Sequence, residues 1–166
     1  RVALVAVAAL GLGVLAAVPS QATVQAHGLT LSAATSTQLT GETSTASAAV
    51  ATVSFLASDL GDTTSVTAFL MSAPAGNTAI PVMQVSETTS AVVKDTVTAI
   101  ALAVGAEETD QVLFFSSSAN AATAVSAKIK VYMNAPTVAG TYVVKLVPAV
   151  VAGGGVIDTT GATLTI

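Results

Sequence analysis

Apolar side chains recur at every second position in the best-ordered stretches of the chain. In Lys128-Ile129-Lys130-Val131-Tyr132-Met133 the alternation is strict, so a strand there points Ile129, Val131 and Met133 to one side and both lysines to the other. Residues 49–57 share the period, with Ala51, Val53, Phe55 and Ala57 on the face read as core. Residues 65–72, 80–86, 112–115, 139–146 and 162–166 add short strands, and residues 29–32 a weaker one. Turn signals separate them: Asp59-Leu60-Gly61-Asp62, Pro74-Ala75-Gly76-Asn77, residues 136–139, Gly153-Gly154-Gly155 and residues 158–161. The strand at 80–86 is expected to pair back on the one before it, and Pro81 marks it as an edge strand or a strand start. Residues 96–104, β-branched and uncharged, predict a strand covered on both faces, and 105–110 an acidic turn. Residues 116–127 are small and soft, which leaves a helical turn and a loop both open.

Residues 2–18 break the alternation. They carry no charge and no polar side chain, follow Arg1 and stop at Pro19-Ser20-Gln21-Ala22, the layout of an export signal. As a helix they would cover roughly 26 Å, short of a hydrocarbon core of about 30 Å, so any membrane contact through them is expected to be transient. If kept, they would be an assembly arm buried in neighbouring copies, with Val2, Leu4, Val5, Val7, Leu10, Leu12, Val14 and Leu15 as its apolar contacts. Gly11, Gly13 and Ala16 fit a dinucleotide-binding pattern, but Pro19 cuts the helix it needs and the first acid downstream is Glu42. The expected architecture is therefore all-β: an antiparallel β-sandwich over 23–166 as one domain, preceded by a hydrophobic, helical segment over 1–22.

Composition narrows the functional classes. Hydrophobic residues make up 52% of the chain and charged ones 8%, against about 25% charged in ordinary soluble domains. Such a surface suits a protein covered by copies of itself, with glycan on the Thr/Ser-rich segments as a secondary expectation. A net charge of −4 with 5 basic residues argues against nucleic acid as a partner. Without cysteine there is no disulfide framework. His27 is the only histidine and reads as a solvated residue near a flexible start. Asp59 with Asp62, and Glu107, Glu108 with Asp110, are weak calcium candidates whose spacing departs from an EF-hand loop. They read more simply as solvated turns. No nucleophile elbow is visible, so no catalytic residue and no cofactor is expected.

Gly140-Thr141-Tyr142 followed by an alternating strand resembles the immunoglobulin-like strand that carries the tyrosine corner. In that resemblance Val144 stands where an antibody domain has its second cysteine, and Val53 takes the corresponding place on the earlier strand. The chain has no Trp, which excludes the antibody subtype. The order of apolar helix and sandwich is similar to type IV pilins, notably archaeal ones, and the strands to bacterial secreted Ig-like modules of adhesins, surface layers and filaments. The resemblance implies an Ig-like, non-enzymatic structural subunit at the cell surface that self-assembles into a filament, tube or layer. The alternative is a secreted adhesin or carbohydrate-binding module that uses loop tips at 59–64 or 107–111.

Overall fold

The two-residue period becomes nine strands in a computed structural model that describes residues 23–43, 46–96, 101–107, 111–119, 122–155 and 157–166. They are β1 (Gln25–Leu31), β2 (Ala49–Ala57), β3 (Thr63–Ser72), β4 (Pro81–Thr89), β5 (Ala91–Lys94), β6 (Val112–Ser117), β7 (Thr123–Met133), β8 (Val143–Ala152) and β9 (Ala162–Thr165). All ladders between them are antiparallel, in a four-stranded sheet β1-β2-β7-β4 and a five-stranded sheet β5-β6-β3-β8-β9. The expected N-terminal helix and assembly arm lie outside the described residues.

One core fills the space between the sheets. The four-stranded sheet contributes Ala51, Val53, Phe55, Ile129, Val131 and Met133, and the five-stranded sheet Val66, Leu113, Phe115, Val144, Leu146 and Leu164, all buried. The inward faces read from the alternation of β2 and β7 are the faces observed. Aggregate burial at about 25 cal/mol per Å² of apolar surface is what holds the two layers together.

Three sequence expectations are corrected. First, β4 does not pair back on β3: it crosses to the other sheet and pairs with β7, with Pro81 opposite Met133. Both edges of β3 are already taken by β6 and β8, so no ladder position is left beside it. Pro81 does open an edge strand, where its missing N–H does least harm. Second, the described part of 96–104 is neither a strand nor covered on both sides, since Ala101, Ala103 and Val104 are exposed. Leu102 and the turn residues that follow it, Gly105 and Ala106, make single backbone bonds to strand edges instead. Leu102 N–H donates to Val93 O at 2.7 Å, Gly105 N–H to Val85 O at 2.6 Å, and Val85 N–H to Ala106 O at 3.0 Å. Third, the soft stretch 116–127 holds the end of β6 and the start of β7 rather than a helical turn.

The strand missed in the sequence is β5, four residues long. Ser90, with φ of 51°, separates it from β4 and lets the chain pass from one sheet to the other within a single residue. A comparable crossing follows β1. Residues 34–36 run parallel to β9, where Ser36 N–H donates to Thr165 O and Thr165 N–H to Ala34 O, both at 2.9 Å. The outer edges of β4, β5 and β9 are thus each engaged by the chain itself, which blunts their capacity to recruit further strands.

Tyr142 closes the loop before β8. It is buried, and its hydroxyl donates to Val138 O at 2.6 Å, four residues upstream. This is the hydrogen bond that the Gly140-Thr141-Tyr142 reading anticipates. Val144, two residues on, and Val53 are both in the core.

Candidate functional site

The acidic residues singled out in the sequence are dispersed. Asp59 is exposed, and its Oδ1 accepts from Leu60 N–H at 2.6 Å. Asp62 is fully buried, which corrects its reading as a solvated turn residue. Its Oδ2 accepts from Ser58 N–H at 2.6 Å, Ser58 Oγ at 3.1 Å and Asp59 N–H at 3.2 Å, so it clamps the turn between β2 and β3. Glu107 belongs elsewhere: it bridges to Gln84 at the β4 edge and accepts a short hydrogen bond from the Tyr132 hydroxyl. Glu108 and Asp110 lie outside the described residues. Among the described residues no three His, Cys, Asp or Glu side chains are grouped as metal ligands would be. Thr63 and Thr64 are also buried, so the 59–64 tip has only Asp59, Leu60 and Gly61 to offer a ligand.

The clefts are small. The first, about 250 Å³, lies between Gln38, Met133, Val138 and Tyr142. Gln38 crosses it, with Nε2 donating to Met133 O at 2.6 Å and Oε1 accepting from Met133 N–H at 2.9 Å. Its amide is therefore committed to tying the 36–42 segment to β7. A second, about 210 Å³, lies beside β1 between His27, Leu29, Asp158 and Gly161. Both, and a third of about 270 Å³ between Thr37, Leu39, Glu42 and Ser47, fall below the about 300–1,000 Å³ usual for small-molecule sites.

His27 is not a solvated loop residue, because it sits in β1 and is half-buried, with Nε2 buried and unpartnered among the described residues. Desolvation holds its pKa below the ordinary 6.5, against the opposing pull of the Asp158 carboxylate. Asp158 is itself held below its usual value, chiefly by hydrogen bonds from the Thr160 side chain and N–H, so it titrates at more acid pH. The unfolded chain takes up the histidine proton before the folded one does. His27 therefore contributes stability that is fully present above 6.5 and lost as pH falls through the lowered folded value. A melting series between about pH 7.5 and 5.5 should show this loss, and His27→Gln should flatten it over that window.

The largest surface feature is a contrast between the two outer faces. The four-stranded sheet is mainly polar outside, Leu56 being its exposed apolar exception: Thr30, Thr52, Lys128 and Glu87 form one row across it, and Lys128 Nζ meets Glu87 Oε2 at 2.7 Å. Gln84, Ser126 and Lys130 continue that character on neighbouring rows. The five-stranded sheet carries more large apolar groups outside. Phe114, Val112, Phe69, Val147 and Val143 project from β6, β3 and β8 on the side opposite the core residues that alternate with them, interleaved with Thr63, Ser65, Thr67 and Ser116, and Met71 stands at a bulge near the end of β3. Phe69 is 48% exposed, Met71 61% and Val151 39%. The strand residues of this face include Lys94 and Lys145 but no acid. In an antiparallel sandwich the solvent side of each sheet is ordinarily polar. Here the four-stranded sheet keeps closer to that pattern than the five-stranded one does.

The fold and surface define a two-sheet antiparallel β-sandwich with one outer face richer in large apolar side chains than the other. Comparison with protein-family models, with curated proteins and with solved structures gives no match.

Proposed function

We propose that this chain is a non-enzymatic structural subunit, exported from the cell, that assembles with copies of itself into an extracellular filament, tube or surface layer. The large apolar side chains on the outer face of the five-stranded sheet are the observation that carries the reading. A solitary domain in water would leave Phe69 and Met71 solvated beside further apolar residues, whereas an assembly covers them. The low charge of the whole chain supports the same conclusion. Covering rather than chemistry is then the work of the surface.

The finer fold assignment belongs to this proposal. With β5 and β6 set aside, the strand orders 1-2-7-4 and 3-8-9 correspond to the A-B-E-D and C-F-G sheets of an Ig-like domain. The Tyr142 to Val138 hydrogen bond supports that assignment. Export rests on the leader-like sequence of residues 2–18. The alternative of a ligand-binding module loses much of its 59–64 tip to the burial of Asp62, Thr63 and Thr64, and most of its 107–111 tip lies outside the described residues.

Sedimentation velocity over roughly a hundredfold range of concentration tests the proposal. Species larger than one chain, growing with concentration, are expected. A single species of 16.2 kDa throughout would contradict it.

A further inference from the structure

We infer that the outer face of the five-stranded sheet pairs with the same face of a second copy, sheet back against sheet back, about a two-fold axis. The inference rests on the self-assembly reading and names the surface through which it begins.

The argument starts with what could cover the face. The polar sheet of another copy would set Lys128, Lys130 and Glu87 against Phe69 and Met71, which desolvates charge for little apolar gain. Joining sheets edge to edge is hindered at β4, β5 and β9, where one or two outer backbone groups of each already bond to the chain itself, and at any edge, β1 included, it would leave Phe69 and Phe114 uncovered. The same apolar face of a second molecule meets neither obstacle. It also buries two exposed faces in one contact, the self-complementary arrangement of a closed dimer.

The size is adequate. Five strands abreast, of 4 to 10 residues, present roughly 500 Å² of projected sheet at about 3.3 Å per residue and 4.8 Å between strands. Side chains roughen that plane, bringing its accessible area toward the about 800 Å² each partner buries in a stable interface. Lys145 lies opposite Phe69, and Lys94 opposite Phe114 on the β5 edge. Their stems can lie along the aromatic surface while the ammonium groups reach the rim, so like charges need not meet at the centre.

Two measurements on the full chain test the pairing. The sequence has no cysteine, so a single Thr67→Cys on the middle strand can be joined only to its counterpart in another molecule. Facing sheets lie about 10 Å apart, and a bismaleimide of about that reach should give covalent dimers. Thr52→Cys, on the polar sheet, should not. In the second measurement, Phe69→Lys with Met71→Lys should weaken dimerisation about a hundredfold or more while the far-UV circular dichroism is unchanged; Thr52→Lys should leave it as it was. Assembly that persists in the folded double variant, without cross-linking at Thr67→Cys, would overturn the pairing and leave the self-assembly reading intact. An unaltered chain that stays monomeric overturns both. A monomer whose Thr67→Cys thiol is nevertheless shielded from maleimide would assign the face to another segment of the same chain, also against the pairing.

Discussion

Phe115→Ala is expected to remove about 3–5 kcal/mol of folding stability. Phe115 is fully buried on β6, between Thr64 of β3 and Val93 of β5. The core around it is built largely from alanine and valine, and the chain contains only 4 Phe and 2 Tyr. Small β-branched neighbours on hydrogen-bonded strands have little freedom to move into the vacated space, so the cavity should stay open and the cost lie toward the top of the range. Against a total stability of about 5–15 kcal/mol this leaves a marginal protein. Equilibrium urea unfolding reads it directly as a lower midpoint at unchanged slope. A loss below about 1 kcal/mol would mean that the two sheets close over the gap, and that the core is less rigid than its packing indicates.

The second large effect centres on Asp62. Asp62→Ala deletes three accepted hydrogen bonds and leaves the N–H groups of Ser58 and Asp59 without that partner, for an expected loss of about 2–4 kcal/mol. Gly153, just after β8, stands beside it at the same end of the β3–β8 ladder. A Cβ on Gly153 would stand 1.9 Å from Asp62 Oδ1, and its φ of +94° is a conformation that alanine adopts only under strain. Gly153→Ala alone should therefore cost about 2 kcal/mol or more. The two losses should not add. With Asp62 reduced to alanine the carboxyl group no longer blocks the new methyl, so the double variant should be more stable than the sum predicts by about 1 kcal/mol. Simple additivity would show that the loop carrying Gly153 moves aside freely and that the contact does not hold the turn.

That contact also marks where the sequence stops being informative. Strand β2 and the second half of β7, residues 128–133, were legible because the period repeats there with a consistent face, whereas the small residues at 123–127 hid the start of β7. β5 was not, since Ala91-Val92-Val93-Lys94 is too short to display any period. The run at 96–104 misled for a different reason. An uncharged, β-branched stretch has the composition of a buried strand, yet its described part serves as an edge cover, and only the position of the edges of β4 and β5 decides between the two. Asp62 and Gln38 look like surface residues by type. The burial of Asp62 and the tethering of the half-buried Gln38 involve partners 91 and 95 positions away, Gly153 and Met133, which no local pattern discloses.

The candidate surface was half legible. Phe69-Leu70-Met71 is apolar at three successive positions, which signals a strand with no polar side to turn to water. Which of its two faces would pack inward, and that Phe114 and Val147 would join Phe69 and Met71 outside, follows from the register with β6 and β8. Composition raised the same question more coarsely, through a charge content too low for an isolated domain. The fold adds a location to it: one sheet back rather than the surface at large.

The most direct test of the account is to see where the protein stands on its source cells. Antibodies raised against the folded sandwich, used for immunogold electron microscopy, should label an extracellular filament, tube or layer along its length. Label confined to the cell interior, or a protein recovered only as free single chains from the medium, would contradict the proposal that this sandwich is a self-assembling surface subunit.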